Sequence, residues 1–222
     1  MHFARAAIEG NPFLGIFART NDSITLLPKN SSEKLKRICS EVLKTQVFTT
    51  SVSNSNLIGI FSAMNSNGMV LPAAVHDYEL KELKQAGINV EVICDKNSAF
   101  GNNILANDSA CLVNPAMSHK SVKGIADCLG VEVVKGTIGK YKTVGVSAVV
   151  TNCGILSKTS VTDEELASLE KLFKVKGAVG TANMGVPFIG LCMIANRNGF
   201  IAGELTSGFE LNRIDEALGF MG

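Results

Sequence analysis

Six cysteines and three histidines are the side chains of this sequence that could act as nucleophiles, bases or metal ligands. Successive cysteines lie 17 to 55 residues apart, so no two have the close spacing of a zinc or redox motif. Three of them lie in apolar sequence, where a free thiol packs as a small hydrophobic side chain. We therefore expect reduced thiols, with Cys39, Cys128 and Cys192 in the hydrophobic core.

The composition is that of a folded protein without a strong charge. Of the 222 residues, 46% are hydrophobic and 18% are charged, which suffices for a packed core and excludes disorder. The net charge of +1 argues against a protein that binds nucleic acid mainly by neutralising phosphates. The longest apolar stretch, 186–195, is far shorter than the roughly 20 residues that span a bilayer. Because the first residues also lack a secretory signal, we expect a cytoplasmic protein.

The cysteines and histidines lie within a sequence pattern that repeats along the chain. A glycine in an apolar run recurs at intervals of 44, 42, 44 and 45 residues, at Gly15, Gly59, Gly101, Gly145 and Gly190. An asparagine follows each glycine six or seven residues later, at Asn21, Asn65, Asn107, Asn152 and Asn196. Regular self-similarity at such a period indicates a repeat architecture. The chain is therefore predicted to contain five copies of one unit.

Each unit is predicted to contain two strands joined by a tight turn, then a helix, then a short third strand. Asn and Gly at 65–68 and 196–199 favour hairpin turns, because both residues tolerate positive φ. Apolar residues at helical spacing follow in 35–43, where Ser32 is the expected N-cap. Thr162 and Glu165 predict a capping box at the start of the fourth helix.

The fifth unit lacks a third strand, and a strand-like segment from His2 to Ile8 precedes the first unit. We predict that this segment completes the fifth unit, which would close the array and remove exposed edges. The approximate repeats are 10–54, 55–97, 98–140, 141–184 and 185–222, with 1–9 completing the fifth. Together they predict one domain over 1–222.

The predicted fold class is α/β: a five-bladed α/β propeller of ββαβ units with pseudo-fivefold symmetry. Propellers of the WD type have a similar period, but they have four strands per blade and a Trp-Asp signature, whereas this chain has no tryptophan. Helical HEAT and armadillo arrays are excluded because asparagine-glycine hairpins connect strands.

Three motifs in the right order and repeat resemble the translation initiation factor 6 family: residues 10–18 (GNPFLGIFA), 99–103 (AFGNN) and 180–185 (GTANMG). The resemblance covers essentially the whole chain and implies the pentein fold. Since no acidic or serine-rich tail follows the last helix, the chain resembles the archaeal form. The family implies binding to the large ribosomal subunit, so that the small subunit cannot join, and a role in subunit biogenesis or recycling.

The expected partner surface lies beside the five repeat-starting glycines, because corresponding loops of a closed ring converge on one face. Large apolar residues there suit a protein–protein hot spot. Family positions carried over by resemblance are Gly15, Gly59, Gly101, Asn102 and Phe188, with ribosomal protein uL14 as main partner and protein L24e and the sarcin-ricin RNA loop at the edge. Ile60 departs from the arginine usual in eukaryotic members. The predicted ribosome interface is Pro12, Phe13, Gly15, Leu57, Gly59, Ile60, Phe100, Gly101, Asn102, Pro187 and Phe188.

Competing interpretations remain at this level. The glycines could mark close backbone approach, and Phe13 and Phe188 could be strand ends packed in the core. Pentein folds also host deiminases and amidinotransferases, which need a cysteine nucleophile and a histidine base. Cys192 lies near the expected position but among apolar neighbours. Direct RNA contact would use Lys29, Lys34, Lys36, Arg37 and Lys44, or Lys135, Lys140 and Lys142. No catalytic, cofactor or metal site is predicted, and we expect a monomer without a membrane partner.

Overall fold

The computed structural model describes residues 2–221, which form five small three-stranded sheets and ten helices in a mixed α/β arrangement. The strands are β1 (Phe3–Ala6), β2 (Arg19–Thr20), β3 (Ile24–Pro28), β4 (Gln46–Thr50), β5 (Ala63–Met64), β6 (Met69–Pro72), β7 (Val90–Ile93), β8 (Ile104–Ala106), β9 (Ala110–Val113), β10 (Glu132–Lys135), β11 (Ala148–Val150), β12 (Gly154–Lys158), β13 (Lys176–Gly180), β14 (Met193–Asn196) and β15 (Gly199–Gly203).

The helices are of two kinds. Five are single turns: α1 (Leu14–Phe17), α3 (Ile58–Phe61), α5 (Phe100–Asn103), α7 (Val144–Ser147) and α9 (Ile189–Cys192). Five are longer: α2 (Glu33–Leu43), α4 (Asp77–Gln85), α6 (His119–Leu129), α8 (Asp163–Phe173) and α10 (Gly208–Ala217).

Each sheet combines an antiparallel hairpin with a third strand that runs parallel to the second. The strand orders are β2-β3-β4, β5-β6-β7, β8-β9-β10, β11-β12-β13 and β14-β15-β1. In the first four sheets a longer helix connects the second strand to the third, because a parallel pair requires a crossover connection. Each of these four sheets takes its strands from one of the predicted units.

The first strand of the chain belongs to the same sheet as the last two. β1 runs parallel to β15, with Phe3 opposite Phe200 and Ala6 opposite Gly203. The backbone oxygen of His2 also accepts a hydrogen bond from the amide of Phe200, at 2.9 Å. The prediction that the segment after the N-terminus supplies the third strand of the fifth sheet is confirmed.

The run around each repeated glycine begins as a helical turn, whereas the sequence predicted a strand throughout. The glycine is the second residue of each single-turn helix, and the inner strand starts only after that turn. A Cβ on Gly59 would overlap the carbonyl oxygen of Gly15, one on Gly15 would overlap that of Gly190, and the other three repeat the relation. The single-turn helices therefore pack against one another in cyclic order at separations that only glycine permits.

Asparagine side chains connect the hairpin turns of adjacent sheets. The Asn21 side-chain oxygen accepts hydrogen bonds from two backbone amides of its own turn, and its amide donates to the carbonyl of Asn65 at 2.9 Å. The same double role recurs at Asn65, Asn107 and Asn196. These residues thus fix each turn and join it to the next.

In the fourth hairpin Thr151 takes the place of asparagine. Its Oγ1 accepts hydrogen bonds from the backbone amides of residues 153 and 154, as the asparagine oxygens do elsewhere. The prediction that Asn152 is the repeated asparagine was wrong by one position. Asn152 instead donates to carboxylate oxygens of Asp22 and Asp108, at 2.7 Å from each.

Four of the five longer helices have a serine or threonine as the N-cap, and α4 has His76 instead. Ser32 accepts a hydrogen bond from the amide of Leu35 at the start of α2, as predicted. Thr162 accepts one from the amide of Glu165 at the start of α8. The capping box predicted there is only half present, because the Glu165 carboxylate accepts a hydrogen bond from the amide of Gly139 instead, at 2.8 Å.

Hydrophobic side chains fill the space between each sheet and its helices. Phe100, Phe173 and Phe200 are the largest of the fully buried side chains, and each belongs to a different cluster. The inner strands β2, β5, β8, β11 and β14 line a central cavity of about 60 Å³. The described structure thus has separate cores around an inner layer of short strands.

Candidate functional site

The residues that precede the five single-turn helices hold the same position in every unit. Phe13, Leu57, Ala99, Thr143 and Phe188 are the N-caps of α1, α3, α5, α7 and α9, with similar backbone angles. Because these helices pack against one another, their N-caps surround one surface. We define the loop face as the predicted interface residues that are partly exposed there: Pro12, Phe13, Leu57, Ile60, Asn102, Pro187 and Phe188.

The other four predicted interface residues lie beneath the loop face. Gly15, Gly59 and Gly101 are buried at the contacts between single-turn helices, which supports the structural interpretation of the repeated glycines. Phe100 is completely buried, at 0% exposure. The placement of the Phe100 side chain at the surface was wrong, because Phe100 is the first helical residue of α5 and points into the core, while Ala99 holds the surface position.

Asn102 carries a polar atom of the loop face that lacks a partner. Its Oδ1 is buried and accepts no hydrogen bond from residues 2–221. The adjacent Asn103 has a different role, since its amide donates to the carbonyl of Ala99 at 2.9 Å and stabilises the turn itself. A buried amide oxygen left without a donor costs about 1–3 kcal/mol. An external donor that reached Asn102 would remove this cost.

A lysine that the sequence analysis missed lies under the aromatic part of the loop face. Lys158, at the end of β12, is 3% exposed, and its Nζ lies 3.3 Å from the ring centre of Tyr141 and 4.9 Å from that of Phe188. The two rings pack edge to face with their centres 5.4 Å apart. Burial lowers the pKa of Lys158, while nearby Glu165 acts in the opposite direction. The cation–π contacts hold both rings in place.

A comparison among the units could have found Lys158. The equivalent residue, seven positions after the turn asparagine or Thr151, is Pro28, Pro72, Asn114 or Gly203 in the other units. A charged residue at that position is therefore an exception within the repeat. Taking Asn152 as the turn residue conceals this exception. The count of seven then starts one residue too late, so Lys158 is no longer aligned with its equivalents in the other units.

Carboxylates at the third position of the longer helices hold the loops that lead to the loop face. Glu210 in α10 accepts hydrogen bonds from the amides of Met184 and Gly185, at 3.2 and 2.8 Å, and from the Thr181 hydroxyl at 2.8 Å. Although burial acts to raise it, these bonds and those from Ser207 lower the pKa of Glu210 below its ordinary value. The loop before α9 is therefore fixed by a buried, ionised carboxylate.

The same device recurs in the second and third units. Glu79 in α4 accepts hydrogen bonds from the amides of Ser53 and Asn54, at 2.9 and 3.0 Å, so the loop before α3 is held in the same way. In the third unit the carboxylate lies in the loop and its donors lie at the start of the helix. Asp95 lies in the loop and accepts hydrogen bonds from Ser118 and Ser121 at the start of α6, at 3.0 and 2.6 Å.

Cys192, which the sequence offers as a possible nucleophile, lies in an environment that disfavours the reactive thiolate. Cys192 is buried, its Sγ donates to the carbonyl of Phe188 at 3.5 Å, and burial raises the pKa of its thiol to about 12. His76 and His119 lie at the starts of α4 and α6, as predicted, and His2 lies 2.6 Å from Asp215. Within residues 2–221 no group of three or more His, Cys, Asp or Glu side chains could hold a metal ion.

Acidic neighbours neutralise part of the basic region considered for RNA. Lys29 lies 2.9 Å from Glu82, and Lys36 lies 2.8 Å from Glu33. Arg37 is 3.9 Å from Glu41. These pairs reduce the local positive charge on and beside α2. Over the described part of the chain, no helix has the length and apolar character to cross a membrane.

Residues 3–217 match the eIF-6 family, so the chain belongs to this family. Similar curated proteins are named translation initiation factor 6 and come from archaea. The protein of Thermococcus onnurineus is 44% identical over 227 aligned residues, covering 100% of both chains, and that of Pyrococcus horikoshii has the same identity and coverage. The protein of Methanocaldococcus jannaschii is 42% identical over 224 residues, covering 98% of both chains. The family is thus one of translation initiation factors rather than of enzymes.

Among solved structures, the N-terminal domain of ArgZ, an arginine dihydrolase from cyanobacteria, is similar with a TM-score of 0.46 and 13% identity. The alignment covers 74% of this chain and 67% of that chain. At these values the likeness supports no argument about activity.

Proposed function

We propose that this chain is a ribosomal anti-association factor, which binds the large ribosomal subunit and prevents its premature joining with the small subunit during biogenesis or recycling. The observation that carries the proposal is the match to the eIF-6 family over residues 3–217, with archaeal relatives, aligned over their full length, that are named translation initiation factor 6. We propose that it acts as a cytoplasmic monomer.

For the fold, we propose a single pentein domain, a closed five-bladed propeller with pseudo-fivefold symmetry. Two observations support it: β1 pairs with β15, and each single-turn helix contacts the next, with α9 contacting α1. Closure in this way would leave no sheet without its third strand.

The loop face is the proposed contact surface. It offers partly exposed Phe13, Leu57 and Phe188 around a rigid backbone, together with the unpartnered oxygen of Asn102. Large apolar anchors and a polar atom in need of a donor are features of protein–protein hot spots. We propose ribosomal protein uL14 as the main partner, with protein L24e and the sarcin-ricin loop at the edge. Phe100 and the glycines support this surface from beneath.

The alternative function is a guanidine-modifying enzyme. It would require an ionised thiol at Cys192, whereas burial raises the pKa of that thiol to about 12. Co-sedimentation with purified subunits on a sucrose gradient separates the two functions. We expect the chain to travel with the large subunit alone. Sedimentation with neither subunit, together with turnover of arginine or an amidine, would instead establish the enzyme.

Two variants test the loop face in the same assay. Phe188→Asp and Asn102→Arg would each bury an unpaired charge at the contact and should weaken binding by about 2–4 kcal/mol, roughly 30-fold or more. Lys171→Gln is the matched control for Phe188→Asp, because it also lowers the net charge by one but lies exposed on α8. If both face variants fold and bind as the parent does, the surface is wrong. If Phe188→Asp unfolds, the binding of Asn102→Arg to the large subunit alone tests whether the loop face is the contact surface.

A further inference from the structure

Arg19 is the charged exception among five equivalent positions around the central cavity. These positions, four residues after each repeated glycine, are Arg19, Ala63, Leu105, Val149 and Ile194, and all five border the cavity. The four apolar side chains also pack in separate hydrophobic clusters, so Arg19 is the one member of this set that brings a charge to the cavity. A cation at such a position needs compensation that the neighbouring side chains do not provide.

Only some of the N–H groups of the Arg19 guanidinium have a hydrogen-bond acceptor in the protein. Its Nη2 donates to the carbonyl of Gly59, whereas its buried Nε has no hydrogen-bond partner among the described residues. Within residues 2–221 no carboxylate lies within ion-pair distance of Arg19. A guanidinium has five N–H donors in a fixed planar array, so several remain for a ligand in the cavity.

Arg19 cannot remove this imbalance by losing its proton. Burial lowers its pKa to about 10, so that at pH 7 only about one molecule in a thousand would carry a neutral side chain. The Nε of Arg19 is buried although the residue as a whole is partly exposed, and a buried N–H group without a partner costs about 1–3 kcal/mol. A counter-charge close to the guanidinium would therefore stabilise the folded protein.

The carboxylates at the hairpin-turn end of the inner strands are occupied elsewhere. Asp22 accepts hydrogen bonds from Asn152 and from the amide of Arg197, at 2.7 and 2.9 Å. Asp108 accepts them from Asn152 and from the amide of Ser66, at 2.7 and 2.8 Å. Their hydrogen bonds hold the turns together, and neither carboxylate forms an ion pair with Arg19.

We propose that the central cavity is a binding site for one small inorganic anion, of halide or nitrate size, held by the guanidinium of Arg19. The cavity volume of about 60 Å³ accommodates one such ion with one or two waters, whereas an organic phosphate would not fit. The surrounding protein lowers the local dielectric constant and so strengthens an ion pair with the guanidinium.

Bromide tests the proposal directly, because it scatters anomalously and resembles chloride. Crystals of the full chain grown with sodium bromide should show an anomalous peak within hydrogen-bond distance of Arg19. In solution, replacing sodium gluconate, whose anion is too large for the cavity, by sodium bromide at constant ionic strength should raise Tm saturably by about 2–4 °C. Arg19→Met should abolish both signals, and Arg37→Met, a change at an exposed arginine of α2, should leave both intact.

Two results would overturn the proposal. One is water alone beside Arg19 in the bromide crystals. The other is a bromide-dependent Tm shift that is equal in the parent and in Arg19→Met. If Arg19→Met does not fold, Arg19→Lys replaces it in the test, because lysine keeps the charge but lacks the planar donor array. This variant should bind bromide at least tenfold more weakly than the parent. An unchanged affinity for bromide would also contradict the site.

Discussion

Gly59 is a residue where one added methyl group should have a large effect. A Cβ there would overlap the carbonyl oxygens of Gly15 and Ala18, which are backbone atoms within packed single-turn helices. Gly59→Ala should therefore lower the free energy of unfolding by about 3 kcal/mol, measured by urea denaturation.

The control is Gly208→Ala at the first position of α10, where nothing lies within 4 Å of an added Cβ. This variant should stay within about 0.5 kcal/mol of the parent. Equal effects of the two substitutions would show that close backbone approach is not the reason for the repeated glycine.

The thiols form two groups that a colouring reagent can distinguish. Cys94 and Cys153 are exposed, whereas Cys39, Cys111, Cys128 and Cys192 are buried, and burial raises the pKa of Cys39 and Cys192 to about 12. At pH 8 the native protein should release two equivalents of thionitrobenzoate from Ellman's reagent quickly, and six in denaturant. A third fast equivalent that disappears in Cys192→Ala would show a reactive Cys192 and revive the enzyme hypothesis.

The type of a residue predicted its structural role well where that role depends on its immediate neighbours in the sequence. It did so less well where the role depends on the exact alignment of the residue within the repeat. Ser32 was recognised as a cap, and Cys192 as a buried thiol, from their immediate neighbours. Phe100 was misplaced because burial changes within one residue, from the partly exposed N-cap Ala99 to the completely buried Phe100, and spacing alone does not show which of the two faces inward. Lys158 was missed because its aromatic partner Phe188 is distant in sequence and meets it only in the folded chain.

At the scale of elements, the loops that lead to the loop face are held by the longer helices that follow them in the sequence. Glu210 is the clearest case, since it accepts hydrogen bonds from Ser207, Gly185 and Thr181. Glu210→Gln replaces one carboxylate oxygen by a donor that faces other donors. We expect it to lower the free energy of unfolding by about 2 kcal/mol at pH 7. Glu204→Gln, at an exposed residue, is the control and should change little.

Acidification should remove the difference between the parent and Glu210→Gln. Because the pKa of Glu210 is lower in the folded protein than its ordinary value of 4.5, the unfolded chain binds the proton more tightly. The stabilisation is therefore complete above about pH 4.5 and is lost as the pH falls through the folded pKa. Urea denaturation from pH 7 to pH 3 should show the two curves converging. A difference that stays constant with pH would mean that the carboxylate charge is not responsible.

The elements themselves were predictable to the extent that their periodicity was unambiguous. The longer helices have an apolar stripe, and four of the five have a serine or threonine cap in the structure, whereas α4 has His76. The single-turn helices were not predicted, since a short apolar run such as 13–18 fits a buried strand or a helical turn equally well. What selects the turn is the contact of Gly15 with Gly190, which lies far away in sequence.

At the scale of the whole molecule, the repeat period predicted five units before any single element was assigned, and the structure has five three-stranded sheets. The period also showed that one strand was missing at the end and one was spare at the start. The central cavity was beyond this reasoning. Its contents depend on which of five equivalent positions carries a charge, and only the folded structure brings those five positions together.

The first strand stabilises the last sheet, and its removal should destabilise the entire molecule. Deleting residues 2–9 would remove the parallel partner of β15 and the stacking of Phe3 on Phe200, whose ring centres lie 5.5 Å apart. We expect a loss of roughly 3–5 kcal/mol in the free energy of unfolding, together with concentration-dependent association through the freed edge. An unchanged melting temperature would contradict a structural role for β1.

The position of this strand in the sequence should matter less than its place in the sheet. The rings of His2 and Phe220 lie with their centres 5.4 Å apart, so the start of the segment is close to the last described residues. Residues 2–9 attached after the C-terminus through about six glycine and serine residues should therefore reach β15 and restore most of the lost stability. The matched control carries Ala4→Pro in the transferred segment, because proline cannot donate to the ladder opposite Ile201. If the proline version restores the melting temperature equally well, the rescue is not due to strand pairing, and closure of the fifth sheet by β1 is not what stabilises the molecule.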